Sequence, residues 1–459
     1  MKTNEDGAGN EEACKAIRAI LNPIEGKKKA ECCIVIPAGH ALDMLETHLK
    51  HLEKQDTRDF DVLIIGKKPK TEPKEINMLI CDEKYPVGSS GGFGLGQVQA
   101  YLLGYEYVIN ADLDCFPVST NLVSTLMSIA KKTNNVVEPL SMSNRSYDPK
   151  KINDRHTINH YGIVPRKIIE KYGFENFRFY RGGEELDFDL RINAESALLY
   201  EKSVIVEHEN IEVNHIERMK FQGNKYLYYA KNEVVADIYA TAYCLKRMMA
   251  AKAVGYFFRT LRCLFFDIVM SQNHPDLLKA ACIDGTTMNV EKVYCKRSVK
   301  IGTREEKKGD ASVFIGTERD KLEGIMFKPK YWLMENRKKA AMPYLIGMCI
   351  KIIRCEAAYL KPTESFLDEY KFFIQYVLML KPVKYMDGKI YTEKMSIGMT
   401  FLNAVFWAIA YPILVVLAMA MVVKCVVENN KQIKPGNLAG NLREFHKFLV
   451  NFDNKCNKQ

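Results

Sequence analysis

The sequence predicts an α/β fold: a doubly wound, mostly parallel sheet, followed by a C-terminal helical region and one membrane helix. Three observations predict it. Short apolar runs alternate with helix-spaced segments from residue 31 onward, a glycine-rich stretch precedes a strand ending in Asp112-Leu113-Asp114, and the 29 residues 395–423 carry no charge. Strand, helix, strand alternation favours an open parallel sheet whose ligands lie beyond the strands' carboxyl ends.

Residues 1–29 read as a charged helical segment. Met1 to Glu12 is polar and lacks the apolar stretch of a signal peptide. Residues 31–37 (Glu-Cys-Cys-Ile-Val-Ile-Pro) then run into Pro37, Ala38 and Gly39, the pattern of a buried strand entering a loop. Leu42, Leu45, Leu49 and Leu52 follow at helical spacing, and Asp61–Ile65 and Asn77–Cys81 are two further apolar strands. His48 and His51 fall on one face of the helix, with His40 just before it. They have no carboxylate or cysteine alongside and read as polar side chains facing water.

Gly91, Gly92, Gly94 and Gly96 read as a turn that lets backbone approach a ligand closely. The strand after it delivers Asp112 and Asp114. Alternate strand residues share a face, so both carboxylates can be aimed at one cation. A hard divalent ion held by one or two carboxylates plus substrate phosphates describes a Mg2+ or Mn2+ nucleotide diphosphate site. An isolated Asp-x-Asp can equally be a solvated loop, so the order of the two motifs carries the reading.

Two later segments add to it. Asn159-His160-Tyr161-Gly162 leads through Pro165 into Ile168 and Ile169, a strand, turn and helix. Gly182-Gly183-Glu184-Glu185-Leu186-Asp187-Phe188-Asp189-Leu190-Arg191 packs four carboxylates into six residues. Such a cluster must face water or a cation, or share protons; it also suits a helix N-terminus by complementing the macrodipole. Ser203–Val206 and Ile211–His215 read as two short strands.

In order and spacing, Gly88-Ser89-Ser90-Gly91-Gly92-Phe93 ahead of Asp112-Leu113-Asp114 resembles family 2 glycosyltransferases of the GT-A fold, most of all the galactofuranosyltransferase and rhamnosyltransferase branch. The resemblance covers residues 30–235. It implies a catalytic base at Glu185, with Glu184 and Asp187 orienting the base or the acceptor. It implies a metal held by Asp112, Asp114 and a histidine after the last strand, where His215 fits better than His208. Tyr228-Tyr229-Ala230-Lys231-Asn232 resembles the family's segment that closes over the diphosphate, with Lys231 in place of arginine. Pro37, Ala38, Gly39, Gly91, Gly92 and Asp112 would line the pocket of a UDP- or dTDP-sugar. The sequence departs from the family at His40, where asparagine is usual, and after Ile65, where Gly66 and Lys67 replace an acidic residue.

Composition narrows the class. The chain has 459 residues, 47% of them apolar, which excludes disorder for most of it. Thirteen scattered cysteines include no C-x-x-C pair, so they read as reduced buried thiols in a cytosolic catalytic part. The net charge of +10 is spread among acidic residues without an aromatic-interleaved basic module, which argues against nucleic acid and for an anionic membrane surface. Residues 236–394 read as helical, basic and suited to a membrane surface. Within 395–427, an uncharged run exceeds the about 20 residues needed to span a bilayer, although a buried core helix has the same composition. Residues 428–459 form a tail.

The expectation is a single-pass cell-membrane protein with a cytosolic catalytic domain. It would be a metal-dependent inverting glycosyltransferase acting on a lipid-linked or cell-surface glycan acceptor. A nucleotidyltransferase, or a non-catalytic membrane-tethered scaffold that binds a nucleotide sugar, are the alternatives.

Overall fold

The computed structural model of the chain describes residues 3–21, 23–39, 42–82, 88–143, 157–179, 183–193, 198–208, 236–270, 313–314, 331–332, 380–386, 389–394, 396–428, 434 and 436–456. His40, His215, Lys231 and the expected strand at 211–215 lie outside them. The chain divides into two units: residues 1–211 with 289–297 and 429–459, and residues 212–288 with 298–428.

The first unit holds a sheet of eight strands in the order β3-β2-β1-β4-β7-β6-β8-β5. They are β1 (Cys32–Gly39), β2 (Phe60–Gly66), β3 (Asn77–Cys81), β4 (Tyr107–Ala111), β5 (Cys115–Pro117), β6 (Val136–Ser143), β7 (His160–Pro165) and β8 (Leu198–His208). β1 to β4 are mutually parallel where they pair, and β6 is parallel to β8. β7 runs antiparallel between β4 and β6, and β5 antiparallel to β8. The carboxyl ends of β1, β4, β6 and β8 and the amino end of β7 therefore share one edge.

The apolar runs form central strands because helices cover both faces. Cys32, Ile34 and Ile36 point to one face with Val62 and Ile64. There they meet Leu45, Leu49 and Leu52 of α2 (Leu42–Leu52) and Leu122, Leu126 and Met127 of α4 (Leu122–Thr133). Val35 points to the other face, against α3 (Gly88–Leu102). Here the structure corrects the sequence reading: the glycine-rich stretch is helical, and its glycines serve packing. A β-carbon on Gly96 would stand 2.1 Å from the Val35 Cγ1, and one on Gly92 would stand 2.7 Å from the Pro37 side chain. Only residues without a side chain let α3 lie this close to β1.

The N-terminal helix α1 (Thr3–Ile20) and the C-terminal helix Leu438–Cys456 pack together in this unit. Phe445 meets Phe177 edge-on with centroids 4.7 Å apart, Phe448 meets the same ring at 4.9 Å, and the Gly436 amide donates to the Lys171 carbonyl. The residues read as a tail thus belong to the first unit.

In the second unit, residues 236–246 and Ala250–Met270 are helical, as expected. The reading of 330–394 as helical is corrected at its described residues, and 333–379 lie outside them. Tyr331–Trp332 is a strand, and Leu380–Met386 pairs antiparallel with Lys389–Lys394. Between these two strands the sequence is Asp387-Gly388, the dipeptide that favours a hairpin over a continuing helix. Ile397–Glu428 is a single helix of 32 residues with Pro412 inside it. Leu414, Ala418, Met421, Val422 and Cys425 form its buried stripe, while Phe401, Leu402, Ile409, Ile413, Val416 and Val427 are exposed. Its side chains at 403, 406, 407, 410 and 411 are outside the described residues. Among those described, no helix is long and apolar enough to cross a membrane.

Candidate active site

The sheet edge where β4 ends and β7 begins gathers the predicted carboxylates. Asp112, Leu113 and Asp114 do not continue β4; they form a turn into β5, closed by the Cys115 amide donating to the Asp112 carbonyl at 3.0 Å. The two carboxylates are aimed by this turn rather than by strand alternation, and each faces a different histidine. Asp112 Oδ2 lies 3.6 Å from His160 Nε2, and Asp114 Oδ1 lies 3.3 Å from His208 Nε2. The two imidazoles stack with centroids 4.3 Å apart.

One ligand atom from each of Asp112, His160 and His208 lies within 4.8 Å of the others. Two donors bound at about 2.1 Å to one ion stand at most about 4.2 Å apart, so shifts of roughly half an ångström would close this set on a divalent cation. The chemistry fits as well. His160 Nδ1 is 2.7 Å from the Ser141 hydroxyl, the kind of outer contact that fixes the tautomer and leaves Nε2 for a metal. Both histidines are buried. Among the described residues His208 thus occupies the place the resemblance gave to a histidine after the last strand, while the preferred His215 lies outside them.

His160 was not singled out by its sequence. Its position depends on a bulge: Ala111 pairs with His160 but Asn110 with Gly162, so Tyr161 is an extra residue in β7. Tyr161 adopts φ 68°, a backbone region that a bulky residue rarely enters. The adjacent Asn159-His160-Tyr161-Gly162, two polar residues against a glycine at a strand start, is the trace of this in the sequence.

A buried polar network that no sequence motif marks supports the turn. Asn110 donates to Asn159 Oδ1 at 3.1 Å and to Glu175 Oε1 at 2.6 Å, while Gln97 donates to Asn110 and accepts from the Glu175 amide. The Asp112 amide donates to the Asn159 carbonyl at 2.7 Å. Burial pushes the Glu175 carboxyl well above the usual range, reinforced by Glu184, Glu185, Asp112 and Asp189. The Glu175 carboxyl thus feels both the Asp-x-Asp turn and the second acidic motif.

That motif forms α5 (Glu184–Asn193), with Glu184, Glu185 and Asp187 in the first turn as helix-dipole complementarity favours. Its members separate by environment. Glu184 is buried, with the Ser89 hydroxyl at the start of α3 donating to it at 3.4 Å. Glu185 is partly exposed. Burial pushes Asp189 up to about 8, with the Glu185 charge second; it raises Glu138 of β6 far above the carboxylate range, with Asp189 and Glu185 adding to it.

Asp187 is fully buried, and its Oδ2 accepts from Arg191 Nε at 3.1 Å and Nη2 at 2.8 Å. Arg191 also donates to the Tyr172 and Phe174 carbonyls. Asp187 was expected to orient the base or the acceptor; its burial in the pair with Arg191 fits it to holding the helix turn that carries Glu185. Arg191→Met is expected to lower unfolding stability by about 3–5 kcal/mol, because it strands a buried carboxylate. Chemical denaturation would show the extrapolated unfolding free energy lowered by that amount; an unchanged value would contradict the pair's structural role.

Pro37, Ala38 and Gly39 close β1 at the same edge as Asp112, and Gly91 and Gly92 lie in the first turn of α3 beside Pro37. Gly39 has φ 53°.

No family model matches the chain. Over 129 residues it is 26% identical to the galactofuranosyltransferase GlfT1 of Mycolicibacterium smegmatis, covering 26% of this chain and 41% of that protein. The resemblance read from the motifs is therefore met by a curated relative. The relative is a glycosyltransferase. The chain spans well under half of its length. Among solved structures, the mannosyltransferase PcManGT from Pyrobaculum calidifontis, in complex with GDP-Man and Mn2+, superposes at TM-score 0.33 with 12% identity, covering 61% of this chain and 94% of that one. TarS of S. aureus superposes at 0.32 with 10% identity, covering 59% and 56%.

Proposed function

We propose that the chain is an inverting glycosyltransferase that moves a sugar from a nucleotide diphosphate sugar, of the UDP or dTDP type, to a hydroxyl of a lipid-linked or glycan acceptor. The observation that carries this is the convergence of Asp112, His160 and His208 at one sheet edge, with Glu185 in electrostatic reach of the same buried Glu175. Asp112, His160 and His208, with Asp114 behind His208, would hold Mg2+ or Mn2+, which when bound offsets the charge of a departing diphosphate. Glu185 takes the acceptor hydroxyl proton; the acceptor oxygen bonds to the anomeric carbon as the bond from that carbon to the diphosphate oxygen breaks. Asp189, pushed up to about 8 by burial and by the Glu185 charge, keeps the surroundings of Glu185 from accumulating further negative charge. The experiment is a panel of nucleotide sugars with and without Mn2+, read by thermal shift and nucleotide diphosphate release. Metal-dependent stabilisation by UDP or dTDP sugars is expected, and no response to any member would refute the reading.

We also propose that Ile397–Glu428 meets a membrane. Its exposed apolar face, with Phe401, Ile409, Ile413 and Val416 between 62% and 69% accessible, is costly in water, at about 25 cal/mol per Å2. Leu438–Cys456 packs with α1 and with Phe177 in the first unit, and we place that unit on the cytosolic side. A reporter fused after Gln459 is expected to read cytosolic in membrane-retained protein; a reading on the opposite side would overturn this placement.

A further inference from the structure

His48 was expected on the surface and is completely buried. It lies beneath the two segments that build the candidate metal centre. Its Nδ1 is 3.1 Å from the carbonyl of Leu113, the middle residue of Asp112-Leu113-Asp114. Its Nε2 contacts the hydroxyl of Tyr161, the extra residue of the β7 bulge and the neighbour of His160. The imidazole ring also stacks on Tyr161 and meets Phe116 edge-on, with centroids 5.7 Å and 5.5 Å away. A carbonyl can only accept, so Nδ1 carries the proton and Nε2 accepts from the phenol; one neutral tautomer satisfies both contacts.

The two contacts constrain opposite arms of one site. The Leu113 carbonyl fixes the turn that separates Asp112 from Asp114. The Tyr161 hydroxyl fixes a residue with φ 68°, a strained conformation that persists only where the surroundings hold it, and the one that turns His160 toward Asp112. The Asp112 amide joins the turn to the Asn159 carbonyl, and Asp112 Oδ2 stands 3.6 Å from His160 Nε2. His48 adds a further tie from a third element, α2.

We propose that His48 is a positioning residue for the metal centre, joining the Asp-x-Asp turn to the His160 bulge so that Asp112, His160 and His208 stay within reach of one cation. This rests on the metal reading of those three residues.

The test titrates Mn2+ into the full chain in the presence of UDP, followed by the EPR signal of free Mn2+, with Asp112→Asn as the control. His48→Leu, which keeps the volume and removes both contacts, is expected to weaken Mn2+ binding about 10- to 100-fold, the range for lost outer-shell partners. Tyr161→Phe, which keeps the packing and removes only the hydroxyl, is expected to weaken it less. The double variant should bind no more weakly than His48→Leu, since both substitutions break one connection. Thermal unfolding without metal separates this from a merely structural role, which would lower the melting temperature of Tyr161→Phe without moving its Mn2+ affinity. Affinities within twofold of the unsubstituted chain for both single variants would overturn the proposal. Absence of Mn2+ binding in the unsubstituted chain would overturn the metal reading and the proposal with it. Mn2+ binding that Asp112→Asn abolishes, alongside unchanged His48 and Tyr161 variants, would overturn the proposal alone.

Discussion

Asp112→Asn is expected to remove Mn2+-dependent turnover of the nucleotide sugar, with kcat/KM falling by at least about 10²-fold, while the fold survives. The substitution keeps the side-chain volume and deletes one charge from the set formed with His160 and His208. A metal at such a site supplies several kcal/mol of charge stabilisation as the diphosphate departs, and about 1.4 kcal/mol corresponds to a factor of ten. Asp112 is partly exposed, with 28% of its side chain accessible, so little packing is lost. The Asp112 backbone contacts, its amide to the Asn159 carbonyl and its carbonyl from the Cys115 amide, are untouched. Asp114→Asn should cost less, since Asp114 reaches the centre through His208 and is not among the three convergent groups. Steady-state kinetics across a Mn2+ titration provides the check. Retained activity in Asp112→Asn at low Mn2+ would exclude this carboxylate as a ligand.

The contrast between the two aspartates marks where sequence stops being informative. Strand positions were legible because apolar runs such as Cys32–Pro37 and Asn77–Cys81 are bounded by turn residues, and the structure places them within about two residues. The acidic motif was legible as a helix start because charges in a first turn are a local property. The aim of Asp112 and Asp114 was not, since it depends on a turn whose partner is the Asn159 carbonyl, 47 residues away in the chain. His160 depends on a bulge, and a bulge is a register relation between two strands. His48 illustrates the same limit from the other side. Helical spacing put it on a face with His51, yet only the tertiary fold decides that this face looks onto Leu113 and Tyr161. The glycines misled for a physical reason: absence of a side chain serves close helix packing as well as ligand approach, and the sequence does not distinguish the two.

Glu185→Gln is expected to leave binding of the nucleotide diphosphate sugar nearly unchanged and to lower kcat by roughly 10²- to 10⁴-fold, the contribution of a positioned general base. The four acids of the motif are divided by what surrounds them. Asp187 is committed to Arg191 in a fully buried pair. Glu184 is buried and accepts from Ser89. Asp189 is pushed up to about 8, by burial first and by Glu185 second, and so holds its proton at neutral pH. Glu185 stands partly exposed in the first turn of the helix, which suits a group that must meet an acceptor and take its proton. Because kcat reports the chemical step and KM need not follow it, the separation of the two parameters is the informative measurement. A variant that turned over normally and bound donor weakly would make Glu185 a binding residue and shift the base to Glu184. Asp189→Asn supplies the complementary check. In the folded chain Asp189 is protonated up to about pH 8, against 3.8 for the ordinary group, so its stabilising contribution is complete below the lower value and lost as pH rises through the upper one. The Asn variant should therefore gain stability relative to the unsubstituted chain above pH 8, while Glu185→Gln, which removes a charge that raises Asp189, should move that loss to lower pH.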